Sequence, residues 1–120
     1  FVYIHLGCAL HGLTLVPFYS NFGADTIEHI FEKTRLHILF CDTAHTAERY
    51  LNKFGQQIKH IIVIKASGEE FERFSAENTG NVKINSFAEL EIYGTQQPQT
   101  EPKLNPECPM VIFFTSGTTG

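Results

Sequence analysis

The sequence is poor in charged residues and has no excess of positive charge. Asp, Glu, Lys and Arg make up 18% of its 120 residues, and 13 acidic against 9 basic side chains give a formal net charge of −4. Nucleic-acid-binding modules typically carry a basic stripe, so the charge argues against that class. Hydrophobic residues make up 42% of the chain, which is too many for a disordered protein.

Tryptophan is absent, and the cysteines and histidines do not form metal-binding patterns. The cysteines are three, an odd number without a C-x-x-C pair, which is typical of free thiols in an intracellular, reducing compartment. Cys8 and Cys41 lie in apolar segments, so we interpret these two thiols as inert rather than nucleophilic. The six histidines show no ligand spacing, so we interpret them as surface or packed side chains. The residues concerned are Cys8, Cys41, Cys108, His5, His11, His29, His37, His45 and His60.

Residues 1–16 lack charged side chains altogether. A membrane-spanning helix needs about 20 apolar residues, so this run is too short, and Pro17 closes it. Its apolar residues follow helical spacing and predict a buried helix over 2–11 that ends near Gly12. The predicted buried stripe is Val2, Leu6, Ala9, Leu10 and Leu13.

Three continuous apolar runs, 38–41, 61–64 and 110–114, predict strands that are covered on both faces, as in a parallel sheet. Shorter strands are predicted at 13–16 and 82–84. Helical patterns alternate with the strands, which indicates βαβ units. The predicted fold class is therefore α/β, with a mostly parallel sheet and packed helices. The helices are predicted at 25–34, 43–54, 69–74 and 86–93.

Helix-start signals support these assignments. Asp25 with Glu28 and Ser86 with Glu89 have the spacing of capping boxes, and Asp42 or Thr43 is expected to cap the helix between them. Gly55 follows the helix predicted at 43–54, at the position where a glycine with a left-handed backbone conformation commonly ends a helix. The expected inner faces are Ile27, Ile30, Phe31 and Thr34 on one helix, and Ala44, Ala47, Leu51 and Phe54 on the next.

The chain is predicted to contain three segments of one incomplete domain. Residues 1–93 form the α/β portion, 94–108 a proline-rich connector, and 109–120 a strand with the start of a loop. Because the chain opens inside an apolar run and stops inside a glycine-rich stretch, we expect it to be a fragment of a larger protein.

The last segment carries the strongest chemical signal. A hydrophobic run ends in Thr115-Ser116-Gly117-Thr118-Thr119-Gly120, in which no large side chain fills the space. Glycines let the backbone approach a ligand closely, and successive N–H groups with hydroxyls can surround an anion. The residues alone favour a phosphate-binding loop and a plain polar turn about equally. The spacing fits neither a Walker A motif nor a dinucleotide fingerprint.

The string from Phe113 to Gly120 resembles the signature phosphate loop of the adenylate-forming superfamily, aromatic-T-S-G-[ST]-T-G-x-P-K-G. The stretch from Cys8 to Gly23 is similar to a segment of eukaryotic long-chain fatty acid–CoA ligases, A-C-x-x-x-S-L-x-x-V-P-L-Y-x-x-L-G. The chain departs from these patterns at His11, Gly12 and Pro109, which affects the subfamily more than the superfamily.

The resemblance implies ATP-dependent activation of a long-chain fatty acid to acyl-adenylate and then to acyl-CoA. It places Thr115, Ser116, Gly117, Thr118, Thr119 and Gly120 on the ATP phosphates, with Thr115 also a Mg²⁺ ligand. The adenine pocket, the acidic Mg²⁺ ligand and a lysine lie downstream in the family, so no catalytic residue is expected here and the fragment alone is expected to be inactive.

The implied partners are small molecules, namely fatty acid, ATP and coenzyme A, and no nucleic acid. The parent protein is expected to attach to a cytosol-facing membrane through regions outside this chain. The candidate membranes are the endoplasmic reticulum, the mitochondrial outer membrane and the peroxisome. Two alternatives stay open: a non-catalytic or degenerate α/β relative, and an adenylate-forming ligase with another carboxylate substrate.

Overall fold

The computed structural model describes residues 1–19, 21–78, 80–100 and 103–115. They divide into two compact units. The sheet unit is Arg35–Pro98, and the terminal unit is Phe1–Thr34 together with Gln99–Gly120.

The sheet unit is built from alternating strands and helices. Its strands are β1 (Ile38–Cys41), β2 (His60–Val63) and β3 (Lys83–Ser86), all parallel and in the order β1-β2-β3. The register pairs Phe40 with Ile62 and Ile62 with Asn85. The predicted parallel α/β fold is confirmed, although β2 begins one residue before the predicted run and β3 one residue after it.

Three helices follow the strands of the sheet unit, and two begin at the predicted caps. They are α3 (Ala44–Phe54), α4 (Glu69–Glu77) and α5 (Phe87–Gln96). The Thr43 hydroxyl accepts from the Thr46 N–H at the start of α3. At the start of α5, Ser86 and Glu89 form the predicted capping box. Helix α5 continues through Gln96, into the segment predicted as connector.

The core of the sheet unit is centred on β2. Ile61 and Val63 are fully buried and Ile62 is 5% exposed, so successive side chains on opposite faces of this strand are all covered. Helix α3 packs against β1 and β2, and α5 against β2 and β3. The buried hydrophobic residues of this unit are Leu39, Cys41, Ala44, Ala47, Tyr50, Ile58, Ile61, Ile62, Val63, Phe74 and Val82.

Two details predicted for α3 are wrong. Its inner face uses Tyr50 after Ala44 and Ala47, while Leu51 and Phe54 are only half-buried. Gly55 ends the helix with a right-handed φ of −57° rather than a left-handed one. Glycine fits there for a different reason, because a Cβ would stand 2.6 Å from the Leu51 carbonyl oxygen.

The terminal unit contains α1 (Val2–Leu10) and α2 (Ala24–Thr34). The prediction that Asp25 caps α2 is wrong, because the Ile27 N–H donates to the Gly23 carbonyl at 3.1 Å and the helix begins at Ala24. Asp25 instead lies in the first turn, where its charge favours the helix dipole. Three members of the predicted face are confirmed, since Ile27, Ile30 and Phe31 are buried, whereas Thr34 is half-buried.

Helix α1 forms where predicted, but it is not buried. It is followed by Gly12 at a positive φ of 65°, as a helix-ending glycine requires. Val2, Leu6, Leu10 and Leu13 are each more than half exposed. Within the described part of the terminal unit, only α2 and the extended segments are available to cover them. No described helix is long and apolar enough to cross a membrane.

The predicted strands at 13–16 and 110–114 are wrong as full strands. These two segments are described in full, and they pair with each other only through one isolated parallel bridge, between Leu15 and Val111. Residues 110–114 do not join the three-stranded sheet, and Met110 and Phe113 are 52% and 68% exposed. A strand needs a neighbour along its length, and here only one residue of the 13–16 segment supplies one.

Candidate functional site

The candidate site follows the run 110–114 and begins at Thr115. Thr115 is exposed, at the end of an extended segment. The other predicted phosphate contacts, Ser116, Gly117, Thr118, Thr119 and Gly120, lie outside the described residues. The structure shows how the chain is held as it approaches these residues.

The segment 13–16 holds the beginning of this run by backbone hydrogen bonds. The Leu15 N–H donates to the Met110 carbonyl at 3.0 Å, and the Ile112 N–H donates to the Leu15 carbonyl at 2.9 Å. These two bonds flank Val111 and form the parallel bridge. The bridge therefore places residue 15 opposite Val111 at one point of the run.

A side-chain contact adds to the bridge. The Thr14 hydroxyl donates to the Pro109 carbonyl at 2.7 Å, across a sequence separation of 95 residues. Leu104 lies 3.4 Å from the position that a Cβ on Gly12 would take, so the two chain segments run close together. The entry to the run is thus held by residues 12–15.

The far end of the run contacts helix α2. The rings of His29 and Phe114 meet edge to face, with their centroids 6.2 Å apart and their planes at 88°. Phe114 directly precedes Thr115, so this contact lies next to the first predicted phosphate ligand. Edge-to-face packing is a favourable geometry for aromatic rings at this separation.

The sequence around the site carries no charge. Residues 108–120 contain no Asp, Glu, Lys or Arg. Backbone N–H groups and Thr and Ser hydroxyls are the donors that this stretch can offer to an anion. Such donors are directional dipoles rather than point charges, so the path of the backbone decides where they are aimed.

The metal prediction rests on Thr115 alone. The described residues contain no group of three or more His, Cys, Asp or Glu side chains that could hold a metal ion. Mg²⁺ nevertheless keeps several waters and often takes one or two protein oxygens plus substrate phosphates. The hydroxyl of Thr115 is exposed and therefore accessible to a hydrated ion.

The three cysteines differ in burial. Burial, with a smaller contribution from the Asp42 charge, raises the pKa of the Cys41 thiol to about 12. Burial also raises the pKa of Cys8, whereas Cys108 is exposed. A thiol with a raised pKa holds little thiolate at neutral pH, so Cys8 and Cys41 are poor nucleophiles, as predicted.

Other polar features of the sheet unit do not form a reactive site. The charged side chains at the start of α4, Glu69, Glu70 and Glu72, are exposed and solvated. A shallow groove of about 310 Å³ lies between α3 and the end of α4, lined in part by Leu51 and Phe74. It contains neither a nucleophile nor a paired acid and base.

Sequence reasoning missed Thr14 and His29 as contacts of the run. Neither belongs to a motif, and Thr14 meets Pro109 only because distant segments fold together. A single threonine in a β-branched stretch and a single histidine on an exposed helix face give no periodic signal. Only the three-dimensional structure brings them to the two ends of the run.

The whole chain matches a known protein family. The family model described as AMP-binding enzyme matches residues 1–120, and the chain therefore belongs to the AMP-binding enzyme family.

Several curated relatives within this family carry names that refer to long-chain substrates. The chain is 34% identical over 124 residues to long-chain-fatty-acid–CoA ligase 1 of Homo sapiens, covering 99% of this chain and 17% of the relative. It is 28% identical over 116 residues to long chain acyl-CoA synthetase 8 of Arabidopsis thaliana, covering 95% of this chain and 16% of the relative.

A third relative, fatty acyl-CoA synthetase A of Dictyostelium discoideum, is 28% identical over 114 residues, covering 92% of this chain and 16% of the relative. The chain thus spans about a sixth of the length of these proteins. No solved structure gives a significant match.

Proposed function

We propose that the chain is part of a long-chain fatty acid–CoA ligase and supplies the start of its ATP-phosphate loop. The observation that carries this proposal is the family match over residues 1–120, together with relatives named as long-chain ligases. The chain spans 17% of the human relative, so the reaction belongs to the whole protein and not to these residues alone.

In the proposed reaction, a carboxylate oxygen of the fatty acid forms a bond to the α-phosphorus of ATP. The bond from that phosphorus to the bridging oxygen breaks, and pyrophosphate leaves. The thiolate of coenzyme A then attacks the acyl carbonyl carbon, and AMP leaves with the electrons of its bond. The products are acyl-CoA, AMP and pyrophosphate.

The proposed role of residues 115–120 is to hold the β- and γ-phosphate oxygens. Their N–H groups and hydroxyls would stabilise the charge that grows on pyrophosphate as it leaves. Because the stretch has no cationic side chain, its effect depends on donors that are already in place before the reaction.

A magnesium ion would neutralise phosphate charge when bound, with the Thr115 hydroxyl as one of its ligands. The exposure of Thr115 supports this assignment, because the hydroxyl is accessible to a hydrated ion.

We also propose that the whole protein works inside the cell at a cytosol-facing membrane, through regions outside this chain. One relative from Arabidopsis thaliana is named as peroxisomal. Fractionation of cells that express the full-length protein tests this: recovery only in the soluble fraction would contradict membrane association.

The test of the proposed function is pyrophosphate exchange into ATP, driven by a long-chain fatty acid, in the full-length protein. Gly117→Val places a β-branched side chain where the backbone must approach phosphate. We expect a loss of about 3 kcal/mol of transition-state stabilisation, or on the order of 100-fold in rate. Thr118→Ala should be milder, because it removes one hydroxyl and keeps the backbone shape.

Three outcomes separate the alternatives. Wild-type exchange by folded Gly117→Val would show that the phosphate-loop assignment is wrong. Exchange driven by another carboxylate and not by a long-chain fatty acid would overturn the substrate assignment. No exchange by the folded wild-type protein with any carboxylate would indicate a non-catalytic relative.

A further inference from the structure

We propose that Thr14 and His29 are positioning residues that aim the phosphate-binding loop by holding the two ends of the segment Pro109–Phe114. This inference rests on the proposed function, because it assigns a purpose to contacts that approach the proposed ATP site. Neither residue touches substrate in this account. Each acts through the backbone that leads to Thr115.

Thr14 holds the entry of the segment. Its hydroxyl donates to the Pro109 carbonyl at 2.7 Å, immediately beside the Leu15 bridge. A single bridge with two backbone bonds specifies strand register weakly, and a slip of one residue would turn each side chain to the opposite face. The hydroxyl adds a third bond on the neighbouring residue, which selects one register.

His29 holds the exit of the segment. Its ring meets Phe114 edge to face, with 6.2 Å between the centroids. His29 is exposed on α2, whose buried face is formed by Ile27, Ile30 and Phe31, so its ring is not part of the helix core. The contact therefore fixes the side chain next to Thr115 without contributing much to the stability of α2.

The orientation of the backbone matters at the proposed site because the loop would bind phosphate through N–H and O–H dipoles. Residues 108–120 carry no charged side chain, so phosphate binding depends on where N–H and O–H bonds point. A displacement of about 1 Å at a reacting centre can cost up to two orders of magnitude in rate. Small errors at Pro109 or Phe114 would be transmitted directly to Thr115.

The experiment uses the full-length protein and measures kcat and KM separately for ATP and for fatty acid in the pyrophosphate exchange assay. Thr14→Val removes the hydroxyl and keeps the β-branched shape, while Thr14→Ser keeps the hydroxyl. His29→Ala removes the ring, and His29→Phe keeps a ring. The matched control is Thr34→Val, which removes a hydroxyl that donates within α2, to the Ile30 carbonyl at 2.6 Å.

We expect Thr14→Val to lower kcat/KM for ATP about five-fold, the size of one neutral hydrogen bond, with the KM for fatty acid unchanged. His29→Ala should lower it about three-fold, the size of one aromatic contact. Thr14→Ser and His29→Phe should restore most of the loss, and Thr34→Val should behave as wild type.

Unchanged ATP parameters in both Thr14→Val and His29→Ala would overturn the inference, provided that Gly117→Val is impaired in the same assay. A raised KM for fatty acid, with no rescue by Thr14→Ser or His29→Phe, would also overturn it and indicate a merely structural role. Wild-type exchange by Gly117→Val would instead overturn the proposed function itself, so the two failures are distinguishable.

Discussion

The two units of the chain differ in how their segments are held together. The sheet unit is one continuous stretch, Arg35–Pro98, with three paired strands and a buried core around Ile61 and Val63. The terminal unit joins two distant stretches of the chain, and its described residues form no paired strand, only the isolated bridge between Leu15 and Val111. Its buried hydrophobic residues among those described are Ile27, Ile30 and Phe31.

We interpret the sheet unit as a scaffold and the terminal unit as the part that carries the proposed site. In the sheet unit, α3 connects β1 to β2 and α4 connects β2 to β3, so local sequence and packing agree. In the terminal unit, the proposed functional segment depends on contacts across 95 residues of sequence, such as that of Thr14 with Pro109. Functional segments are often held by fewer contacts than the core, which leaves them more easily displaced.

The largest contrast is expected in thiol reactivity. In the native full-length protein, Cys108 should be alkylated first, Cys8 more slowly, and Cys41 slowest of all. A pKa of about 12 against an ordinary 9.0 lowers the thiolate fraction of Cys41 about a thousand-fold. Mass spectrometry of timed alkylation at pH 8 measures the order. Equal rates at Cys41 and Cys108 would contradict the difference between the units.

The next largest effect is expected from the centre of the sheet. Ile61 is fully buried in β2, so Ile61→Ala should destabilise the sheet unit by about 3 kcal/mol through lost contacts and a cavity. Ile61→Val, the matched control, should cost about 1 kcal/mol. Native-state hydrogen exchange of the β2 amides measures both, with the Leu15 and Ile112 amides as the comparison from the terminal unit. Equal costs for the two variants would show that the site is not tightly packed.

A smaller effect is expected at the capping box. Ser86→Ala removes the side chain that accepts from the Glu89 N–H at 3.1 Å, so the start of α5 should lose about 1 kcal/mol. Thr43→Ala removes the corresponding cap of α3 and should cost a similar amount. Exchange of the first-turn amides of each helix reports the loss. No change in either helix would show that packing alone fixes these helix starts.

The smallest effect concerns pH. Hydrogen bonds from the Ser86 N–H and then from its hydroxyl lower the pKa of Glu89 below its ordinary value of 4.5. A carboxyl with a lowered folded-state pKa stabilises the fold above its unfolded pKa, and this contribution is lost as the pH falls through the folded value. Protection of α5 should therefore decrease below about pH 4.5. The change should be smaller than that of Ser86→Ala because Glu89 is largely exposed. Glu89→Gln should flatten the profile, and an unchanged profile would contradict this account.

The sheet unit was largely predictable from sequence because its signals are local. Continuous apolar runs indicated β1 and β2, and Ser86 with Glu89 gave the start of α5. The terminal unit was less predictable. The apolar spacing of α1 correctly predicted a helix, but the prediction that this helix is buried was wrong. The β-branched run at 13–16 predicted a strand where only one bridge forms. Strand formation depends on partners distant in sequence, which local patterns do not identify.

The candidate site divides in the same way. The string from Thr115 to Gly120 could be found from sequence because small residues in a fixed order are a motif. Thr14 and His29 could not, because each is a common residue whose contact arises only from tertiary folding. The assignment of residues 115–120 to ATP phosphates stays a prediction.

The most direct test of the account is hydrogen exchange of the full-length protein with and without saturating ATP and Mg²⁺. We expect slower exchange of the amides at 115–120 when ATP is present, because loop N–H groups then donate to phosphate oxygens, with the amides of β2 unchanged. Protection confined to the sheet unit, or no protection at 115–120, would contradict the proposal that this segment holds the ATP phosphates.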